Sequence, residues 1–531
     1  MEREAIDKSY SPQAVERRWY RFWNESGFFR ADAASQRPPF SIVIPPPNVT
    51  GSLHIGHAFT LTLQDVAVRW KRMCGFDVLW LPGLDHAGIA TQIVVERQLA
   101  QEGLRKEDLG REAFETRVWK WKNESGGEIL SQLRVMGYSL DWTRERFTLD
   151  ATLSRAVREV FVSLYEAGLV YRGNYIVNWC PRCVTALSDL EVDDSEAENG
   201  HLWFIRYAVD DADPQEDVVV ATTRPETLLG DTAVAVHPED PRYGKLVGRD
   251  VILPVLGRRI PIVTDAAVDK DFGTGAVKVT PAHDPNDFLI AQRLGLPCIN
   301  VMDERGILNE NAGPYRGLDR FEARRVIVAQ LEREGLLVKA VPHQIPLGRC
   351  QRCRTIVEPR LSMQWFVKSQ PLAEPAIRAV EQGRVAFVPE SWSKTYFEWM
   401  RNVRDWCISR QLWWGHRIPA WTCAACETLI VAREDPTRCP RCGAADLMQD
   451  TDVLDTWFSS ALFPFSTMGW PEESADFVRY YPNDVMMTAY DIIFFWVARM
   501  IMMGLRFAGD VPFRRVFING LVRDEKGEKM S

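Results

Sequence analysis

The chain has 531 residues, 46% of them apolar and 26% charged, with a formal net charge of −8. That length exceeds one hydrophobic core, so about three or four domains are expected, and the composition is that of a soluble globular protein. The acidic balance excludes a uniformly basic surface but leaves local phosphate-binding patches open.

Residues 1–10 are polar and carry no basic stretch followed by an apolar run, so no signal peptide is expected. A helix then opens with Ser11 as N-cap and Pro12 at its first position and stops at Gly27, with Val15, Trp19 and Phe22 on one face. Nineteen Trp residues cluster in places such as Trp19-Tyr20-Arg21-Phe22-Trp23 and Trp413-Trp414. Core packing accounts for most of them; base-stacking platforms are the other use of such residues.

Ile42-Val43-Ile44 reads as a buried strand. It runs into Pro45-Pro46-Pro47-Asn48-Val49-Thr50-Gly51-Ser52-Leu53-His54-Ile55-Gly56-His57, after which Leu61, Gln64, Asp65, Val68 and Arg69 have helical spacing up to about Gly75. The result is a strand, a tight turn and a helix start, with His54 and His57 on one face of the first turn. Backbone N–H groups at a helix N-terminus favour anions, and two imidazoles add donors aimed at the same point. Such a site suits the charge that builds on the α-phosphate when a carboxylate attacks ATP. A lone His is commonly a helix cap or core group; a pair in this setting fits the phosphate role better.

A second strand, Val78-Leu79-Trp80-Leu81, precedes a turn at Asp85-His86, and residues 102–164 read mostly as helix. Alternating buried strands and helices predict a parallel, doubly wound α/β sheet with ligands beyond the carboxyl ends of its strands.

Eight of the eleven cysteines form four Cys-x-x-Cys pairs, a pattern that favours metal over disulfides. Cys180 and Cys183 are matched by Cys350 and Cys353, with 166 residues between the pairs. The intervening text changes to short Val-rich strands (Val218-Val219-Val220, Ala233-Val234-Ala235-Val236, Ala276-Val277-Lys278-Val279) separated by Gly, Pro and Asp turns. This reads as an inserted β-rich domain whose neck four thiolates on one zinc would close. Cys423 and Cys426 precede Cys439 and Cys442 by twelve residues, the zinc-ribbon spacing. Four sulfur ligands leave no open coordination position, so a structural role is expected, with a nucleic-acid-reading ribbon as the alternative. Cys74, Cys298 and Cys407 stand alone and read as buried small apolar residues.

The sheet pattern resumes at Asp484-Val485-Met486-Met487-Thr488, a helix over 491–505 and Val516-Phe517-Ile518, followed by a Gly- and Lys-containing loop, 524–531. The apolar stretch 492–505 is interrupted by Arg499 and falls short of the roughly 20 residues that span a bilayer. A cytoplasmic protein without a membrane partner is expected.

These motifs carry a family resemblance. His54-Ile55-Gly56-His57 resembles the HIGH signature of the class I aminoacyl-tRNA synthetases, and Lys529-Met530-Ser531 resembles the first three residues of their second signature, KMSKS. Pro45 to His57, with Gly83-Leu84-Asp85-His86-Ala87-Gly88-Ile89-Ala90-Thr91-Gln92, is similar to the valine-specific members. The resemblance implies a Rossmann-type nucleotide-binding fold whose first half spans 1–180, with an editing domain at 181–352, a return connection at 353–420, a zinc ribbon at 421–445 and the second half at 446–531. It further implies a monomer that activates L-valine with ATP, loads tRNA(Val), uses Mg²⁺ between phosphate oxygens and holds structural Zn²⁺ at two sites. Because the chain stops inside KMSKS, a C-terminally truncated synthetase is expected, without the family's second signature lysine, anticodon-binding helices or terminal coiled coil.

By the same resemblance His54, Gly56, His57 and Lys529 bind ATP, with His54, His57 and Lys529 acting on its phosphates. Asn48 and Asp85 hold the substrate ammonium; Pro46 and Trp457 wall a small aliphatic pocket, with Trp496 a second candidate. Leu84 stands where the family has Thr, and Ala489-Tyr490 where it has Gly-Phe. A pocket sized for valine cannot strongly reject isosteric threonine, so a second, hydrolytic site is the remedy. Thr222-Thr223-Arg224-Pro225-Glu226-Thr227 and the run Gly273 to Asp287 resemble editing motifs, and Gly230-Asp231-Thr232-Ala233-Val234-Ala235-Val236-His237-Pro238 favours the valine-specific members. There Asp287 would bind the mischarged ammonium, Thr280 and Lys278 its hydroxyl side and ester, and Arg224 the terminal adenosine or its phosphate, with Thr222, Thr223 and Thr227 lining the site. An isoleucine-specific enzyme is the nearest alternative, although its motif reads Thr-Thr-x-Pro-Trp-Thr. A tRNA-binding and editing module without adenylation is another; a small-molecule nucleotidyltransferase is disfavoured by the insertion. Residues 404–415 mix Arg with aromatics and either approach the tRNA acceptor strand or form a packed joint.

Overall fold

A computed structural model describes residues 9–193, 197–210, 216–527 and 529–530, apart from the side chain of Ala14. Ser531, the last residue of the KMSKS-like stretch, lies outside the described residues. The chain divides into two compact units, Met1–Tyr171 with Phe366–Ser531, and Arg172–Trp365.

The first unit is built on a five-stranded sheet. In chain order its strands are β1 (Pro39–Val43), β2 (Asp77–Leu79), β3 (Ala386–Val388), β4 (Asn483–Ala489) and β5 (Phe513–Asn519). They lie in the order β3-β5-β4-β1-β2 with every pairing parallel. Ile42, Val43, Val78, Leu79, Met486 and Val516 are buried, as strands covered on both faces require. The first two strands neighbour each other, but β1 also pairs with β4, which arrives some 440 residues later: Ser41 N–H donates to Asp484 across |i−j| = 443. Strand order therefore reverses beside β1, and ligands bind at the carboxyl ends flanking such a point.

Helix α1 (Pro12–Glu25) starts as its sequence predicts, with Ser11 extended, Pro12 in the first turn and Gly27 left-handed at φ +73°. Its face differs from the expectation. Val15, Trp19 and Phe22 are exposed, whereas the Tyr20 hydroxyl donates to the Tyr138 carbonyl at 2.9 Å and Trp23 packs on Phe29. With aromatics on several sides, residue type alone did not say which face turns inward.

The predicted helix over 491–505 is broken into four pieces: a 3₁₀ turn at Tyr490–Ile492, π-helical turns at Ile493–Val497 and Gly504–Ala508, and an α-helix at Ala498–Met503. Consecutive aromatics drive this. Phe494 stacks on Trp399, Phe495 meets Trp457, and Trp496 is buried with its indole N–H on the Ser460 carbonyl. A wider turn lets three adjacent side chains reach three different partners. Among the described residues no helix is long and apolar enough to cross a membrane.

Cys407 is buried as expected, but Cys74 and Cys298 are exposed. Cys74 caps the helix Ile55–Met73 off the line of its buried residues Leu61, Gln64 and Val68, so the apolar stripe never reaches it. Residues 404–415 are largely a packed joint. Arg410 is 1% exposed and pairs with Asp455 at 3.1 Å, while Trp406 and Trp414 are buried with their N–H groups on Asp455 and the His86 carbonyl.

The second unit is the β-rich insertion. Its main sheet runs Ala276–Val279, Ala233–Val236, Arg259–Thr264, Asp250–Ile252, Ala197–Val209, Leu337–Pro346, with Val218–Thr222 paired to Ala197–Val209. Alternate residues of these strands, such as Ile205, Tyr207, Val218, Val220, Val234 and Ile262, form one apolar core.

Candidate active sites

In the first unit the chain leaves β1 through Pro45-Pro46-Pro47 and enters helix α2 (Ile55–Met73) at His54. His54 is the N-cap, and its Nδ1 accepts the Gly56 N–H at 3.1 Å. Three residues on, His57 Nδ1 accepts the His54 N–H at 3.2 Å. The imidazole of His54 folds down on Gly56 so closely that a Cβ there would sit 2.9 Å from its Cε1. The two rings lie 4.0 Å apart between centroids.

Because both Nδ1 atoms accept, each neutral ring carries its proton on Nε2. Burial first, then Lys529, lowers the His54 pKa; burial, His54 and Lys529 bring His57 down to about 4. The pair is therefore uncharged near neutrality and offers two N–H donors at a helix N-terminus.

Lys529 is carried by the loop after β5, which folds back on itself: Met530 N–H donates to the Val522 carbonyl at 3.1 Å. The Lys529 ammonium meets Asp491 at 2.5 Å, and Arg523 donates to the Tyr490 hydroxyl at 2.9 Å. Tyr490 stacks on Trp392 with centroids 5.1 Å apart. The loop is thus tied to the segment that follows β4.

Asn48, exposed, bridges to the buried Asp85, whose N–H donates to the Pro47 carbonyl at 2.9 Å. Asp85 Oδ1 accepts the Ala87 N–H at 2.7 Å and Oδ2 accepts the Ser460 hydroxyl at 2.5 Å. Ala87 is left-handed at φ +47°, strained for a residue with a Cβ, and this turn aims the carboxylate. Pro46 and Trp457 are half-buried; Trp496 is 2% exposed and bonded to Ser460. Sequence reasoning missed Ser460 and Asp491, which stand close in sequence to predicted residues but carry no spacing signal of their own.

Behind this turn, His86 Nδ1 lies 2.8 Å from the Thr148 hydroxyl and its ring 5.4 Å from that of His416. Both rings are buried, burial lowers both to about 3, and neither Nε2 has a partner among the described residues.

In the second unit, Lys278 Nζ donates to Thr227 Oγ1 at 3.1 Å, to Asp231 Oδ1 at 3.4 Å and to Thr280 Oγ1. Thr280 N–H donates to Asp287 Oδ2 at 2.8 Å, and Asp287 is raised to about 7, mainly by burial and Asp284. Thr222 is buried and receives the Arg224 N–H at 3.0 Å, while Thr223 is half-buried. The Arg224 guanidinium, expected to meet adenosine or its phosphate, is bonded to Glu358 and the His283 carbonyl. Glu226 in turn pairs bidentately with Arg324 at 2.7 and 2.8 Å.

Each unit also gathers four thiols. Cys180, Cys183, Cys350 and Cys353 have sulfurs within 4.8 Å of one another, and so do Cys423, Cys426, Cys439 and Cys442. Sulfurs 3.4 to 3.6 Å apart are near the roughly 3.8 Å edge of a tetrahedron with Zn–S bonds of about 2.3 Å. Both donor sets fit a metal ion. Of the second set, Cys423 ends the central strand of a three-stranded sheet, Leu429–Val431, Ala420–Cys423, Leu447–Gln449, and the other three lie in the turns between its strands.

The sequence pattern that describes tRNA synthetases class I (I, L, M and V) matches residues 18–531. The chain belongs to that family. It is 61% identical over 526 residues to a valine–tRNA ligase of Syntrophotalea carbinolica, covering 99% of this chain and 58% of that protein. With a valine–tRNA ligase of Thermotoga maritima it shares 59% identity over 527 residues, 99% of this chain and 60% of the relative. The chain therefore spans less than two thirds of the length of these curated relatives. Among solved structures it is similar to a leucyl-tRNA synthetase of Agrobacterium radiobacter, crystallised as a ternary complex with tRNA and LeuAMS. The TM-score is 0.54 at 20% identity, over 98% of this chain and 69% of that one. As a class I synthetase the chain has the Rossmann-type α/β fold with a β-rich insertion.

Proposed function

We propose that the first unit activates L-valine with ATP for transfer to tRNA(Val), and that the second hydrolyses threonine mistakenly attached to the same tRNA. The carrying observation is the imidazole pair: two Nε2–H donors at the N-terminus of α2, beside the reversal of strand order. The relatives named valine–tRNA ligase favour valine over isoleucine.

The valine carboxylate attacks the α-phosphorus of ATP in line, the P–O bond to the β-phosphate breaks, and pyrophosphate leaves. No protein nucleophile is needed; positioning and charge stabilisation suffice. His54 and His57 donate to the α-phosphate oxygens as charge grows there, and neutral rings do so without competing for the proton. Asp85 holds the substrate ammonium in an aim fixed by Ala87 and Ser460, with Asn48 beside it and Pro46, Trp457 and Trp496 closing on the side chain. Lys529 exchanges Asp491 for the departing phosphates. Gly56 lets the His54 ring lie flat against the turn. Mg²⁺ would neutralise phosphate oxygens, and Zn²⁺ in each four-thiol site would be structural, since all four coordination positions are filled.

In the second unit, Asp287 pairs with the mischarged ammonium, and Thr222, Thr223, Thr227, Lys278 and Thr280 meet the threonyl side chain and ester. Arg224 serves by ordering that wall through Glu358 and His283.

Valine-dependent ATP–pyrophosphate exchange tests the first activity, with exchange well above that seen with threonine or isoleucine expected. Background exchange beside intact hydrolysis of threonyl-tRNA would support an editing module instead.

A further inference from the structure

The buried end of Lys278 is held by three oxygens, one for each ammonium proton: Thr227 Oγ1, Asp231 Oδ1 and Thr280 Oγ1. The two threonine hydroxyls have also committed their own protons. Thr280 Oγ1 donates to Asp231 Oδ1 at 2.6 Å, and Thr227 Oγ1 donates to the Arg224 carbonyl at 3.0 Å. Each hydroxyl gives one hydrogen bond and takes one from Lys278, which leaves a lone pair. Toward a ligand the cluster is an acceptor.

Asp231 sets that direction. It is fully buried, and both its oxygens receive: Oδ1 from Thr280 and Lys278, Oδ2 from the Tyr207 hydroxyl at 2.7 Å. Its place is fixed by rigid neighbours. It follows the buried turn Pro225–Gly230, where a Cβ on Gly230 would lie 2.7 Å from the Ile299 carbonyl oxygen, and Tyr207 comes from the core of the main sheet.

We propose that Asp231, braced by Tyr207, is the positioning residue that orients the protons of the Thr227–Lys278–Thr280 cluster, so that it accepts a hydroxyl from the acyl side chain and disfavours a methyl there. The inference rests on the hydrolytic reading of the second unit and names what makes it selective. A methyl there leaves the second lone pair of each threonine oxygen without the donor that a substrate hydroxyl supplies, which weakens binding.

The test compares hydrolysis of threonyl and valyl esters of a tRNA acceptor-stem minihelix by the unaltered chain, Asp231→Asn and Tyr207→Phe. Asparagine keeps the shape but removes the charge and places an amide donor against Tyr207 or Thr280. For Asp231→Asn the threonyl kcat/KM should fall about tenfold or more, and the threonyl-to-valyl ratio by a similar factor. Tyr207→Phe should shift the ratio the same way by about threefold, and it decides alone if the first variant does not fold. A ratio unchanged in the folded variants overturns the proposal, even if both rates fall together. Failure of the unaltered chain to hydrolyse the threonyl ester overturns the hydrolytic reading itself, and the proposal with it.

Discussion

The Ser460 hydroxyl donates to Asp85 Oδ2 at 2.5 Å, joining residues 375 positions apart in the sequence. The Ser460 carbonyl accepts the Trp496 indole N–H at 2.8 Å. One serine therefore links the carboxylate assigned to the substrate ammonium with an aromatic assigned to the side-chain pocket. Ser460→Ala should raise the valine KM about five- to tenfold with a smaller change in kcat, because a buried charged acceptor loses a donor. Exchange kinetics at varied valine check this, and an unchanged KM would remove Ser460 from the site.

Acid should loosen the first unit. His57 is lowered to about 4, and His86 and His416 to about 3, each from 6.5 and each chiefly by burial. Between those values and 6.5 the unfolded chain binds protons that the folded chain refuses, so stability rises with pH. It is complete above about 6.5 and drains as pH falls toward 3, each group contributing up to about 1.4 kcal/mol per pH unit within its window. Thermal midpoints from pH 7.5 to 4.5 should drop steeply, and His416→Gln should flatten the slope. A slope identical in the variant would mean that His416 titrates freely.

The hydrolytic activity should also rise with pH, for a different reason. Asp287 is raised to about 7 and must be ionised to pair with an ammonium. Threonyl-minihelix hydrolysis should climb through pH 7 as the Asp287 carboxyl ionises. Asp287→Asn should give a low, flat profile. A wild-type rate that is flat from pH 6 to 8 would take Asp287 out of the site.

Metal should matter to folding rather than to chemistry. Two zinc equivalents per chain are expected by elemental analysis, and Cys439→Ser, at a buried position, should lose one and lower the thermal midpoint. Retention of both equivalents in that variant would exclude the ribbon site.

Much of this arrangement was legible in the sequence where a local rule acted alone. A short apolar run followed by His-x-Gly-His marks a strand and a helix start, and the two rings do meet at 4.0 Å. Cys-x-x-Cys pairs announce themselves by spacing, and their partners come together even across 166 residues. Val-rich segments between turn residues became strands of the second unit. What stayed hidden depends on tertiary choice. Nothing near Ser460 or Asp231 in sequence says which distant group they will serve. Three consecutive aromatics at 494–496 read as one helix until their separate partners force π-helical turns. On α1, aromatic residues surround the helix, so the exposed side could not be told from the buried one. Residues 404–415 carry arginines that composition links to nucleic acid, yet Arg410 serves a buried carboxylate.

Calorimetric binding of a non-hydrolysable valyl-adenylate analogue probes the imidazole pair and the Asp85 turn together. The chain should bind it far more tightly than the isoleucyl analogue, and His57→Ala and Asp85→Asn should each weaken binding by about tenfold or more while the chain stays folded. Undiminished binding in both variants would mean that the adenylate lies elsewhere and that these histidines only cap a helix.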